Sequence, residues 1–234
     1  MRGIIIYGPP GAGKGTQASL LADKLGYIHF DTGKYLESVV NDPKNKDNPK
    51  IQEQKKIFDS GELNDPHWVF NIVREETLKI CTARIGLVYS GSPRTMDEAW
   101  GNGQHEGLVK EIENCYGKEN VFVVFLKIRP EVSIHRNGRR FVCIICGRPV
   151  LYFHDDPTPN HCGFCGGALR KRSLDAPDVI KERLAVFERR TLPIVAEFEK
   201  RGYNVLELDG EERPSIIFQK ILDRIQKLDD QPQN

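Results

Sequence analysis

No stretch of the 234-residue chain approaches the roughly 20 consecutive apolar residues that a membrane-spanning helix needs. An excess of either charge is also lacking. The formal net charge of +1 gives no general attraction to nucleic acid or anionic membrane, so any phosphate binding must come from locally clustered donors. No internal repeat or low-complexity tract occurs. The apolar start, Gly3 to Tyr7, is too short for a signal-peptide core and runs into a glycine loop instead of a cleavage site. A cytoplasmic protein is therefore expected, and in a reducing compartment paired CxxC cysteines read as metal ligands before disulfides. What remains, 39% hydrophobic and 29% charged residues, is the composition of an ordinary globular chain, and 234 residues are long enough for one α/β domain with an inserted subdomain.

Gly3-Ile4-Ile5-Ile6-Tyr7 has the pattern of a short buried strand, broken by glycines and prolines at 8 to 13 before a helical stretch from Lys14 to Leu25. Further strands are predicted at Tyr27–Phe30, Ile85–Tyr89, Val121–Ile128 and Tyr203–Leu208. Helical patterns lie between them, notably Pro66–Ala83, Gln104–Cys115 and Ala176–Arg201. This alternation predicts a doubly wound parallel sheet whose ligand crevice lies beyond the carboxyl ends of the strands. Two segments interrupt it: a polar, proline-punctuated stretch from Asn41 to Pro49, predicted to be a surface loop, and a cysteine-bearing insertion from about Arg139 to Asp175. The final Asp229 to Asn234 is expected to be a frayed tail.

Gly8-Pro9-Pro10-Gly11-Ala12-Gly13-Lys14 fits a loop that cradles phosphate, with backbone N–H groups and the following helix N-terminus turned to a polyphosphate and Lys14 on its β- and γ-phosphates. Gly15 stands where the commonest form of the motif has Ser or Thr, and the hydroxyl follows at Thr16. The run Gly8 to Gln17 resembles the signature loop of adenylate kinases and related nucleoside monophosphate kinases, and the resemblance extends along nearly the whole chain. It implies a P-loop fold with a five-stranded parallel sheet flanked by helices. The core would comprise residues 1–30, 67–138 and 176–234, with a monophosphate-binding segment at 31–66 and a lid at 139–175. It implies ATP binding by Gly11, Ala12, Gly13, Lys14, Gly15, Thr16 and Arg136. Thr32 and Gly33 resemble the start of the monophosphate-binding segment, and Leu63 belongs to it. Gly91-Ser92-Pro93-Arg94 resembles the second signature, where Arg94 grips the phosphates of both substrates. Arg139 with Arg140, Arg172 and Arg183 resemble the arginines that close over the transferring group. Such residues suit the chemistry, because phosphoryl transfer is accelerated mainly by positioning and by neutralising charge on oxygen.

Cys143-x2-Cys146 and Cys162-x2-Cys165, fifteen residues apart, have the spacing of two knuckles converging on a tetrahedral Zn²⁺. Gly147 and Gly166, one after each pair, supply the tight turns. Four thiolates leave no open coordination position, so such a zinc would hold the lid together and do no chemistry. Disulfides or an iron centre are the alternatives. Cys81 and Cys115 are expected to be packing residues, and His154 and His161 to lie on the lid surface.

Four positions depart from the family's pattern. Glu37 stands where an arginine usually clamps the acceptor phosphate, with Lys34 or a nearby loop lysine as a possible substitute. Ser90 stands where an aspartate usually orders the water shell of Mg²⁺, while Asp31 ends the preceding strand and is assigned that task. Glu98 stands where a glutamine reads adenine: it would suit the two donors of guanine, or be a solvated residue that reads no base. Arg136 is preferred over His135 for stacking on the ATP base. The leading expectation is thus reversible phosphoryl transfer from Mg·ATP to AMP by a monomer, with GMP as another acceptor. A nucleotide-binding protein with reduced kinase activity is the second reading. A zinc-ribbon nucleic-acid binder is the third, opposed by the near-neutral charge and the phosphate loop.

Overall fold

The computed structural model describes residues 1–60, 62–103, 105–150, 160–172 and 175–230. The first strand, β1 (Gly3–Tyr7), is buried along its whole length and leads through the glycine loop into α1 (Lys14–Leu25). β2 (Ile28–Phe30) is followed by α2 (Thr32–Asn41), α3 (Pro49–Ser60) and α4 (Pro66–Thr82). Then come β3 (Leu87–Tyr89), α5 (Met96–Trp100), α6 (Leu108–Tyr116), β4 (Val121–Lys127) and α7 (Pro130–Gly138). The insertion contributes β5 (Phe141–Cys143), β6 (Pro149–Val150) and β7 (Leu169–Arg170). α8 (Pro177–Val186), α9 (Leu192–Lys200), β8 (Asn204–Asp209) and α10 (Pro214–Asp229) complete the chain.

The main sheet is parallel throughout, in the order β2-β3-β1-β4-β8. Alternation along the strands feeds two cores. Ile4 and Ile6 of β1 join Phe122, Val124 and Leu126 of β4 beneath α1 and α10. Ile5 and Tyr7 join Val121, Val123 and Phe125 on the other face, against α4, α6 and α9. Both faces are covered, so the central strands β1, β3 and β4 are apolar almost without a break, whereas the edge strands β2 and β8 carry polar residues such as His29 and Glu207. The order reverses at β1, and the loops leaving β1 and β3 open the crevice at the carboxyl edge where ligands of such sheets bind. Among the described residues no helix is long and apolar enough to cross a membrane.

All five predicted strands exist, within two residues at each end. The stretch Asn41 to Pro49 is largely exposed, as expected, but includes a helical turn, Pro43–Asn45, capped when Asp42 accepts from Lys44 N–H at 2.9 Å. Asn48 then caps α3, a helix missing from the sequence-based pattern, as was the short α5. The predicted Gln104–Cys115 helix begins only at Leu108, and Gln104 lies outside the described residues. The long helix expected over Ala176–Arg201 is broken by one wide turn at Phe187–Thr191, where Leu192 N–H donates to Phe187 O. Pro193 has no N–H for the ordinary ladder at this point, and the wider turn absorbs the gap.

One expectation is overturned. Cys81 of α4 and Cys115 of α6 are not mere packing residues but are joined as a disulfide, with Cα atoms 5.7 Å apart. The two helices pack side by side, which brings together residues 34 apart in sequence; no local pattern reports such a pairing.

Candidate active site

The glycine loop is held open by its own backbone and by α7. Gly8, Gly11 and Gly13 have φ of 153°, 78° and 93°, which other residues rarely adopt. A side chain at Gly11 would also meet Asn137 Nδ2 at 2.6 Å. The buried Ser133 donates to Pro10 O at 2.6 Å, and Asn137 donates to Ser133 O at 2.7 Å. Ser133 thus ties the loop to α7, and Asn137, one helical turn on, packs beneath Gly11. Sequence reasoning missed them; the available signal was a pair of polar residues on the buried face of a short helix. Arg136, on the same helix, donates to Gly11 O at 3.4 Å, to Gly210 O at 2.7 Å and to Glu211 O at 3.2 Å, so it lies against the loop.

Lys14 donates to Gly8 O and Pro9 O at 2.7 and 2.9 Å, its ammonium folded back over the loop. Burial holds its pKa well below the ordinary lysine value, and the charges of Arg94, Arg183 and Arg140 push the same way against Asp31. Arg183 is pushed down to about 9, first by burial and then by Arg94, Arg172 and Arg140. Burial also lowers Arg94, with Glu98 and Asp31 opposing and Arg172 adding to the shift. Five cations from the phosphate loop, the β3 exit, the lid and α8 thus bear on one another. Such crowding is unfavourable unless an anion is bound there. Arg139, the predicted neighbour, caps α7 through its backbone N–H, while Arg140 carries the charge that reaches Lys14 and Arg183.

The arginines are held by side chains the sequence did not single out. Asp175, 7% exposed, accepts from Arg140 at 2.9 and 2.5 Å and lies 3.9 Å from Arg183. Arg94 follows the cis Ser92–Pro93 peptide, and its Nε donates to Gly91 O at 2.5 Å. Thr191, in the wide turn between α8 and α9, donates to Arg94 O at 3.0 Å. Glu98 is 4% exposed and accepts from Arg94 N–H at 2.7 Å, which excludes the solvated alternative. Burial pushes its carboxyl up to about 7, against the opposing pull of Arg94.

At the carboxyl edge Phe30 pairs with Tyr89, so Asp31 and Ser90 end neighbouring strands. Asp31 caps α2, accepting from Lys34 N–H at 3.2 Å, and its Oδ2 lies 4.0 Å from where a Cβ at Gly15 would be. Ser90 Oγ lies 2.6 Å from His29 Nε2, and His29 Nδ1 lies 3.0 Å from Ser19 Oγ. Burial lowers the His29 pKa, which favours the neutral ring. Thr32, 2% exposed, has a hydroxyl without a hydrogen-bond partner beside Gly91 and the Arg94 guanidinium. Leu63 lines a separate cleft with Glu62, Val186 and Arg190. Glu37 faces the lid: it accepts from Arg170 at 3.1 Å and lies 4.0 Å from Arg172.

In the lid, the four cysteine sulfurs lie within 4.8 Å of one another. Cys143 and Cys165 sulfurs are 3.4 Å apart, and those of Cys146 and Cys162 are 3.8 Å apart. A tetrahedron with metal–sulfur bonds of about 2.3 Å has edges of just under about 4 Å, so the donor set fits a metal. Gly147 and Gly166 take φ of 65° and 72°, and the N–H groups of Ile145 and Cys146 point at Cys143 Sγ. His161 is exposed, and His154 lies outside the described residues.

A parallel sheet that delivers a glycine loop, a buried lysine and converging arginines to one crevice is that of a P-loop phosphotransferase of the nucleoside monophosphate kinase class. Sequence relatives narrow the class. The family model described as adenylate kinase matches residues 6–203. An adenylate kinase of Chlamydia pneumoniae is 30% identical over 96% of this chain and 97% of its own length. Those of Pelobacter propionicus and Clostridium tetani are each 32% identical, over 94% and 93% of this chain and 96% and 95% of their own lengths. The chain belongs to the adenylate kinase family. Membership implies ATP, accompanied by magnesium, and a nucleoside monophosphate as substrates.

Proposed function

We propose that the chain reversibly transfers the γ-phosphoryl group of Mg·ATP to AMP, giving two ADP, while four cysteines hold a structural Zn²⁺ in its lid. The observation that carries this reading is a glycine loop over which Lys14 folds onto Gly8 O and Pro9 O, with Arg140 and Arg183 gathered on the buried Asp175 and their charges, with that of Arg94, felt at Lys14. Lys14 and the loop N–H groups would hold the β- and γ-phosphates of the donor. Arg94, between Gly33 and Gly91, would grip the acceptor phosphate with the buried Thr32 hydroxyl. Arg139 with Arg140, Arg172 and Arg183 would neutralise the charge that spreads over the equatorial oxygens as the group passes between them.

Asp31 and Ser90 offer hard oxygen atoms suited to the water shell of Mg²⁺. Held there, the ion would supply positive charge that offsets that of the donor phosphates. Asp31 is the more capable of the two, since the Ser90 hydroxyl is engaged by His29. Arg136, lying against the loop, suits the face of the donor base. Closing the lid excludes water that would otherwise hydrolyse ATP.

The test is ADP formation from Mg·ATP with AMP, GMP, CMP and UMP offered separately. Turnover with AMP far above the others is expected. Turnover with GMP alone would make Glu98 a guanine reader, and tight ATP binding without any acceptor-dependent turnover would leave a binding protein. The expected monomer is checked by light scattering with and without nucleotide.

A further inference from the structure

Glu37 occupies the second turn of α2, facing the lid and not the phosphate loop. One carboxylate oxygen accepts from Arg170 Nη2 at 3.1 Å, and the other lies 4.0 Å from Arg172 Nη2. Lys34, three residues earlier and on the same helix face, reaches to within 4.0 Å of where a Cβ at the Gly147 knuckle would sit. The face of α2 that carries Lys34 and Glu37 therefore meets both arms of the lid. Arg170 is the last residue of β7 and pairs with Val142 of β5, next to the cysteine ligand candidate Cys143. Arg172, two residues on, is among the cations that press on Arg94 and Arg183. A single carboxylate thus connects the monophosphate-binding helix, the cysteine-bearing sheet and the phosphate-facing arginines.

We infer that Glu37 is a positioning residue that latches the lid to the monophosphate-binding helix, holding Arg170 and Arg172 in place instead of gripping the acceptor phosphate itself. An unpaired carboxylate here would repel an incoming phosphate, but two guanidinium groups cancel its charge and leave the crevice cationic. The pair is also reversible. The side chains of Glu37, Arg170 and Arg172 are 30%, 50% and 22% exposed, so solvent screens the attraction and the latch opens readily. Its part in acceptor binding rests on the phosphoryl transfer proposed above; the latch itself does not.

The experiment uses the full, metal-replete chain with donor and acceptor dyes on unnatural amino acids at exposed Lys56 and Ile144, which leaves every cysteine untouched. Glu37→Gln is expected to raise the ratio of open to closed molecules roughly two- to fivefold. The KM for AMP rises by a similar factor, with the KM for ATP little changed. Arg170→Glu has the same effect on the distances, and combining it with Glu37→Arg restores the closed population. An unchanged distance distribution in Glu37→Gln would overturn the latch. So would a lower KM for AMP in Glu37→Arg alone, because the position would then be an acceptor clamp that merely lost its cation. Should the unaltered chain turn over no monophosphate while Glu37→Gln still shifts the distances, the latch stands and the kinase reading falls.

Discussion

Asp31 and Ser90 stand side by side at the carboxyl edge of the sheet, each following a residue of the Phe30–Tyr89 pair that joins β2 to β3. The carboxylate expected on one strand is on its neighbour, close to the start of α1 and to the field of Lys14. Asp31→Asn separates charge from structure, because asparagine caps a helix about as well as aspartate and keeps the bond to Lys34 N–H. The variant should fold normally yet need roughly tenfold more Mg²⁺ for half-maximal turnover. Adding Ser90→Asp to it should recover much of the loss. An Mg²⁺ titration unmoved by Asp31→Asn would end the assignment.

Lys14 is crowded by three arginines and buried, so its charge works against the fold when no phosphate is bound. Lys14→Met should lower kcat by about a thousandfold, the scale on which a charge-stabilising group at the transferring oxygens is lost. The sign for stability is opposite. A lysine whose folded pKa is depressed destabilises the protein at neutral pH, so the nucleotide-free variant should melt higher than the parent. ATP should then stabilise it less than it stabilises the parent, because the added term scales with the affinity that the lysine provided. Calorimetry with and without ATP measures both; a variant melting lower without nucleotide would refute the crowding argument.

Much of this site was legible before any coordinates, for a physical reason. The phosphate loop, the cysteine knuckles and the strands of a buried parallel sheet are local patterns, set by glycine conformations, ligand spacing and continuous apolarity. What was hidden depends on contacts distant in sequence. Asp175 has meaning only beside Arg140 and Arg183, and His29 only beside Ser19 and Ser90. The Cys81–Cys115 bond is the same case, since two single cysteines on separate helices give no spacing to read. Glu98 shows a subtler limit: its acidity suggested exposure, yet a backbone N–H satisfies the carboxylate inside the protein.

The four lid sulfurs are close enough to share one ion, and among the described residues the small sheet around them contributes nothing to either core. Removing the metal should therefore loosen the lid while sparing the main sheet, since binding energy at such a site is folding energy. One zinc per chain is expected by elemental analysis. Chelation or Cys165→Ser should open the segment 139–175 to proteolysis and lower kcat, with ATP binding at the phosphate loop largely kept. Equal protease resistance of the lid with and without metal would contradict a structural role.

Glu98 makes the fold sensitive to pH in a definite direction. Burial raises its carboxyl from the ordinary 4.5 to about 7, so the folded state holds a proton that the unfolded chain releases. Between those values the folded state binds more protons, and stability falls as pH rises from about 4.5 to about 7, then levels off. Glu98→Gln removes this dependence while keeping an oxygen for Arg94 N–H. Urea titrations of both proteins at pH 5 and pH 8 should give a difference that moves in the glutamine's favour by roughly 2–3 kcal/mol over that span. Comparing the two proteins cancels the titration of the other groups they share. A constant difference would mean that the carboxylate is ionised throughout, held so by Arg94, and the same titrations would then show Glu98 to be a permanent acceptor that carries no proton in the folded state.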